Sequence, residues 1–388
     1  MKLLWFYALH VAASLVCLPI SLFIFAVLLL VSSFRNTKHS FEYMERCLMP
    51  HPKITYTFTD IYNETHEAHA IHVHNPKKQN TLVVIHGTGG SSHTWHLVTD
   101  DLSQHYEHVY LLNLPGFGFT EGSKRLLNAT APEINTYYTQ FIHQTFQQLD
   151  ITKATIFAHS YGGLQAIPYT LAHQDTVEKL ILMSVPGIHP VFTQYAHYWG
   201  ILFWSNFPQR YVRYLGTLAI KAVHTLYSFF DIGMLYYYEL KLWERCWADE
   251  LIKKHFTINW TQTWFHAFTL KELLSLSIPI AFIHGENDVL APSHSAEIIK
   301  QVTQHETPVY TIQGTGHNPA ISPEHKSKFI EVFLDAVNTA KPFPSHVEPN
   351  RINKADFNKW FRCTFDISKN KTIVNEYYIY LQELFHKK

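Results

Sequence analysis

The chain has 388 residues, 47% of them hydrophobic and 16% charged, with a formal net charge of +0 at pH 7. That composition excludes a disordered chain, and the balanced charge excludes a protein built for bulk nucleic-acid binding. The length suits one large domain with an insertion, or two domains. Cys17, Cys47, Cys246 and Cys363 lie far apart with no CxxC pair, which indicates neither a zinc finger nor a dense disulfide framework.

From Leu3 to Phe34 there is no Asp, Glu, Lys or Arg. The stretch exceeds the roughly 18 apolar residues that mark a transmembrane candidate. Its second half, Leu15 to Val31, carries about a dozen Leu, Ile, Val and Phe, which together favour insertion by several kcal/mol. Pro19 is a kink that membrane helices tolerate. A cleaved signal peptide is the rival, but its apolar core is shorter, and Val31-Ser32-Ser33 is a poor cleavage site. An uncleaved anchor over residues 1–34 is therefore expected. Lys2 on one side and Arg35, Lys38 and Arg46 on the other give a slight cytoplasmic bias to the body of the protein. Sequons at Asn63, Asn128, Asn259 and Asn370 point the other way, so the side of the membrane stays open.

Two short strands are predicted at Ile54 to Phe58 and Ala70 to Val73. His72 and His74 would share one strand face and could hold a metal, although a solvated face is the better reading in a chain with 27 histidines. Thr81-Leu82-Val83-Val84-Ile85 is a continuous apolar run, as in a strand buried on both faces of a parallel sheet. It ends in His86-Gly87-Thr88-Gly89-Gly90. A helical stretch is predicted around Thr94 to Leu102, a strand at Val109 to Leu112, and a long amphipathic helix over Ile134 to Leu149.

Thr155-Ile156-Phe157 then leads into Ala158-His159-Ser160-Tyr161-Gly162-Gly163, and Leu164-Gln165-Ala166-Ile167 continues as a helix. This is strand, sharp turn and helix with a serine at the corner. Such a turn strains the backbone and demands small residues two before and two after, here Ala158 and Gly162. Taken alone, Ser160 could be an ordinary helix N-cap. With the surrounding strands, the chain resembles the α/β-hydrolase family, and the resemblance makes Ser160 the candidate nucleophile.

Another strand is predicted at Leu180 to Met183, after which the alternation stops. Residues 187–275 are aromatic and helix-patterned, with Tyr195, Trp199, Trp204, Tyr236 and Trp243 among the rings. They resemble the helical cap that many α/β-hydrolases insert after the sixth strand, with an apolar inner face over an acyl pocket. The sheet resumes at Ile278 to Ile283, ending in His284-Gly285-Glu286-Asn287-Asp288. A helix is predicted over Ser293 to Gln301, a last strand over Pro308 to Ile312 ending in Gly316-His317, and a closing helix from about Pro323 to Ala340. Residues 342–388 form an extension to which no function is assigned. The expected architecture is α/β, a mostly parallel sheet flanked by helices, divided into an anchor (1–34), a core in two parts (35–186 and 276–341), a cap (187–275) and the extension.

Ser160, Asp288 and His317 follow the order of nucleophile, acid and base in that family, each just past a predicted strand. The resemblance gives His317 the role of base, Asp288 that of orienting acid, and the N–H groups of Thr88 and Tyr161 that of oxyanion donors. Glu286 is the rival acid, but it stands one residue after Gly285 where the family pattern places the acid three after. Serine at the elbow argues against the branches that use a carboxylate nucleophile. The His-x4-Asp pattern of acyltransferase-like relatives is absent, since Ser322 stands five residues after His317. No metal or other cofactor is implied. The expectation is a membrane-anchored serine hydrolase of carboxylic esters, lipid-derived or otherwise apolar, similar in layout to monoacylglycerol-lipase-like hydrolases. Hydrolysis of an amide, thioester or C–C bond on the same residues is one alternative. A non-catalytic membrane scaffold is another, weakened because no triad position is missing. The oligomeric state is not legible.

Overall fold

The computed structural model describes residues 49–87, 90–129, 131–185, 273–288, 291, 299–300, 303, 306–321 and 324–344. The anchor at 1–34, all but the last three residues of the cap at 187–275, Thr88, most of the helix expected at 293–301 and residues 345–388 lie outside them. Among the described residues no helix is long and apolar enough to cross a membrane.

Eight strands form one sheet. They are β1 (Lys53–Thr59), β2 (Thr65–His74), β3 (Thr81–Ile85), β4 (His108–Leu112), β5 (Ala154–His159), β6 (Val177–Met183), β7 (Ile280–Gly285) and β8 (Val309–Ile312). Their order across the sheet is β1-β2-β4-β3-β5-β6-β7-β8. β2 runs antiparallel to both neighbours, and every pair from β4 to β8 is parallel. The chain steps from β3 outward to β4, then crosses back past β3 to β5. The strand order reverses between β3 and β5, and in an open α/β sheet the crevice for a ligand opens at the C-terminal ends of those two strands.

Burial explains the composition of the central strands. All six residues of β5 and of β7 are buried, as are Leu82 to Ile85 of β3, so both faces are covered and polar alternation vanishes. On one face Leu82, Val84, Val109, Leu111 and Phe157 pack with Trp95 and with α4 (Lys326–Thr339). The helix presents Phe329, Val332, Phe333, Ala336 and Val337 to them, at the i, i+3, i+4, i+7, i+8 spacing of a single apolar stripe. On the other face lie α2 (Ala131–Gln148) and α3 (Tyr161–Ala172). There Phe58 of β1 meets Phe141 of α2 edge-on at 4.9 Å, and Tyr56 shares a hydrogen bond with Thr145.

One expected helix is realised differently. The stretch around Thr94 to Leu102 divides into a 3-10 turn at Ser92–Trp95 and the short helix α1 (Thr99–Ser103). Ser91 and Thr94 form a reciprocal capping box that ties the turn's start, and the division still buries Trp95, Val98 and Leu102. α2 and α4 begin at Ala131 and Lys326, each within three residues of the expected start.

Candidate active site

Ser160 stands between β5 and α3 at φ 49, ψ −120, a left-handed conformation that a non-glycine residue adopts only under constraint from its surroundings. Two backbone bonds hold it there. The N–H of Ser160 donates to Met183 O at 2.9 Å, and that of Gly163 donates to Ser160 O at 2.9 Å. Its side chain makes no helix-capping bond, so the N-cap alternative does not describe this residue. The hydroxyl instead meets His317 Nε2 at 2.8 Å.

The elbow is tightly fitted. A Cβ on Gly162 would come within 2.5 Å of His86 O and 2.8 Å of Ile85 O, both main-chain atoms. A Cβ on Gly87 would come within 2.9 Å of Ser160 Cβ, so the loop after β3 lies directly against the serine. Tyr161 is the first residue of α3, and its N–H belongs to the helix N-terminus, where donors lie outside the intrahelical ladder. Thr88 lies outside the described residues.

His317 reaches the site from the loop after β8. Its Nδ1 lies 2.9 and 3.0 Å from the two oxygens of Asp288. Asp288 follows β7 and is only 3% exposed. Burial works against ionisation of its carboxyl. The charge and hydrogen bond of His317 and the N–H of Ala291, at 2.9 Å, outweigh that and hold it below the ordinary carboxylate range. Glu286 faces elsewhere, accepting the N–H of Gly314 at 2.9 Å. Three residues separated by up to 157 positions are thus brought into one hydrogen-bonded line at the C-terminal ends of β5, β7 and β8. The carboxylate fixes the imidazole tautomer, with Nδ1–H donated to Asp288 and the Nε2 lone pair turned to the serine hydroxyl.

Two further histidines belong to this site. His159 Nε2–H donates to the carbonyl of His317 at 2.9 Å and so ties the elbow to the loop that carries His317. Burial, reinforced by the neighbouring imidazole of His317, pushes His159 down to about 3. His86 is fully buried, which pushes it down to about 4. Its Nδ1–H donates to Gly87 O at 2.8 Å and its Nε2 accepts the N–H of Leu114 at 3.1 Å, a neutral buckle between the loops after β3 and β4. Sequence reasoning assigned neither histidine a role. Their position next to glycine or serine at strand ends was the available signal.

A family model of the alpha/beta hydrolase fold matches residues 80–323. The chain belongs to the alpha/beta hydrolase family. Among curated proteins it is similar to a pimeloyl-[acyl-carrier protein] methyl ester esterase of Hamiltonella defensa subsp. Acyrthosiphon pisum, 26% identical over 261 residues that cover 65% of this chain and 91% of that protein. Among solved structures it is similar to the esterase RhEst1 from Rhodococcus sp. ECU1013, with a TM-score of 0.54 and 16% identity, covering 74% of this chain and 99% of that one. A membrane phospholipase A, described as a bacterial virulence factor, gives a TM-score of 0.54 at 20% identity over 88% of this chain and all of the other. At these identities the two structures speak for the alpha/beta hydrolase fold alone.

Proposed function

We propose that the chain is a membrane-anchored serine hydrolase that cleaves carboxylic esters, with apolar or lipid-derived acyl groups as its substrates. The observation that carries this reading is the line from Ser160 Oγ through His317 to Asp288, with both contacts near 2.9 Å and the serine on a constrained backbone. His317 Nε2 takes the hydroxyl proton as Ser160 Oγ attacks the ester carbonyl carbon. Asp288 stabilises the imidazolium that results. The oxyanion is met by the N–H of Tyr161 and by a donor from the loop at 86–89, for which the sequence favours Thr88. As the tetrahedral intermediate collapses, His317 returns the proton to the departing alcohol and leaves an acyl-Ser160. Water, deprotonated by the same imidazole, then releases the acid. This chemistry needs no cofactor.

Two observations support the choice of substrate. The similar curated protein is named an ester esterase, which favours an ester over an amide. The uncharged run from Leu3 to Phe34 and the aromatic segment at 187–275 favour an apolar acyl chain presented at a membrane.

The test is labelling of the full chain in detergent with a fluorophosphonate, beside Ser160→Ala. The wild type alone is expected to label, and p-nitrophenyl esters of longer acyl chains are expected to turn over faster than acetate. A folded wild type that neither labels nor hydrolyses any of these esters overturns the reading.

A further inference from the structure

A group of side chains at the opposite end of the sheet is unused by the chemistry above. β2 and β4 pair antiparallel with His72 opposite Tyr110 and His74 opposite His108. These residues lie on the α2 face of the sheet, alternating with Val73 and Val109 on the other. His108 pairs with Thr81, the first residue of β3, so the group sits at the N-terminal end of the parallel strands, away from Ser160. The rings of His74 and His108 stack at 4.7 Å, and Glu107 precedes His108 in the chain. Glu107 Oε1 is 3.8 Å from Nε2 of His74 and 3.8 Å from Nε2 of His108.

We propose that His74, Glu107 and His108 form a binding site for a divalent transition-metal ion of the Zn2+ class, with His72 as the outer partner that orients His108. The ligand atoms lie within 4.8 Å of one another. In a tetrahedral site with metal–nitrogen bonds of about 2.0–2.1 Å, ligand atoms are about 3.4 Å apart. Each carboxylate-to-imidazole gap therefore needs to close by only a few tenths of an ångström. The two rings are nearly parallel, and a shared ion must lie in both ring planes, so each ring turns about its Cβ–Cγ bond to receive it. Their exposure, 48% for His74 and 32% for His108, leaves room for that turn. Two imidazoles and one carboxylate, with water completing the shell, suit Zn2+, Ni2+ or Cu2+ rather than Mg2+ or Ca2+.

The second observation is the contact behind His108. His108 Nδ1 lies 2.9 Å from His72 Nε2. Donation of Nδ1–H to His72 leaves the Nε2 lone pair of His108 facing Glu107. Metal-bound histidines almost always donate their other ring N–H to an acceptor, and His72 occupies that place here. Among the described residues a second group of this kind, Asp60, Glu64 and His66, is already committed. Asp60 accepts the N–H groups of Tyr62 and Glu64 and bonds His66, while Glu64 pairs with Arg125 and accepts from Ser123. An ion bridging His74 and His108 would clasp β2 to β4 beyond Ile71, where the β1 ladder ends.

The experiment titrates the full chain in detergent with Zn2+ by calorimetry, and with Co2+ by visible absorption. The expected result is one site per chain, Co2+ bands displaced by Zn2+, and a thermal midpoint that rises with Zn2+. His74→Ala and His108→Ala should each weaken Zn2+ binding at least tenfold, and His72→Ala should weaken it about tenfold. The metal-free midpoint of each variant separates lost ligation from lost folding. In the wild type itself, Zn2+ should shift the imidazole Nε2 resonances of His74 and His108. Failure of Zn2+ to bind below millimolar, or equal affinity in the wild type and the His74→Ala/His108→Ala double variant, overturns the proposal.

Discussion

Asp288 and Glu286 lie two residues apart after the same strand, yet their carboxylates have separate tasks. Asp288 is buried against His317, whereas Glu286 caps the turn at Gly314. Asp288→Asn would present His317 with a donor in place of an acceptor and turn the imidazole to the wrong tautomer. Ester turnover should fall by about 10⁴-fold, the loss typical of this substitution in such triads, while Glu286→Gln stays within a few-fold of wild type. Steady-state assays decide, and the opposite ranking would make Glu286 the acid. The neutral histidines set a pH dependence. Burial pushes His159 and His86 down to about 3 and about 4 in the folded chain, against about 6.5 for an unperturbed imidazole. As pH falls through 6.5 the unfolded chain binds protons that the folded chain refuses, so stability present above that pH is lost on acidification. The two sites together should remove several kcal/mol between pH 7 and pH 4. Asp288 has the same sense at lower pH, since its depressed value stabilises the fold above about pH 4 and withdraws that support below it. Denaturant titrations at stepped pH should show the loss. His159→Gln, which keeps a donor for the His317 carbonyl without the titration, should flatten the slope by up to one proton.

At the scale of the element, the elbow works because α3 approaches the end of β3 more closely than a side chain permits. Gly162→Ala places a methyl against two carbonyl oxygens of Ile85 and His86 that belong to the sheet and its loop. Neither can rotate away as a side chain could. The substitution should cost about 1–3 kcal/mol. Because the shift displaces Ser160 itself, fluorophosphonate labelling should slow by at least about 10²-fold. A thermal midpoint and a labelling time course test both, and unchanged labelling would show that the elbow can relax. α4 has the opposite character. Its contribution is the apolar stripe from Phe329 to Val337, which carries no chemistry but closes one face of the sheet.

At the scale of the whole molecule, the membrane reading rests on residues 1–34 alone. The full chain should remain in the membrane pellet after alkaline carbonate extraction, and a chain beginning at residue 35 should move toward the supernatant. Full-length protein in the supernatant would refute the anchor.

Much of the fold was legible in the sequence because its strands bear strong local signals. β3, β7 and the buried stretches of β4 and β6, Val109 to Leu112 and Leu180 to Met183, are short and mostly apolar with glycine or proline close by, and burial on both faces requires that composition. The order Ser160, Asp288, His317 was legible because each residue is coupled to the end of a strand. The division of the stretch after Ser91 into a turn and α1 was not, since helix and 3-10 turn present the same spacing of apolar residues over so few positions. The tasks of His86 and His159 were hidden for a different reason: in a chain with 27 histidines a lone imidazole carries no information until its partners are known. The sequence by itself determined the strands and the elbow, because these depend on neighbours in the chain. Only the tertiary structure decided which carboxylate faces His317, which imidazoles stay neutral and which histidines meet across β2 and β4. Those outcomes depend on distances between residues far apart in sequence and on water being excluded between them.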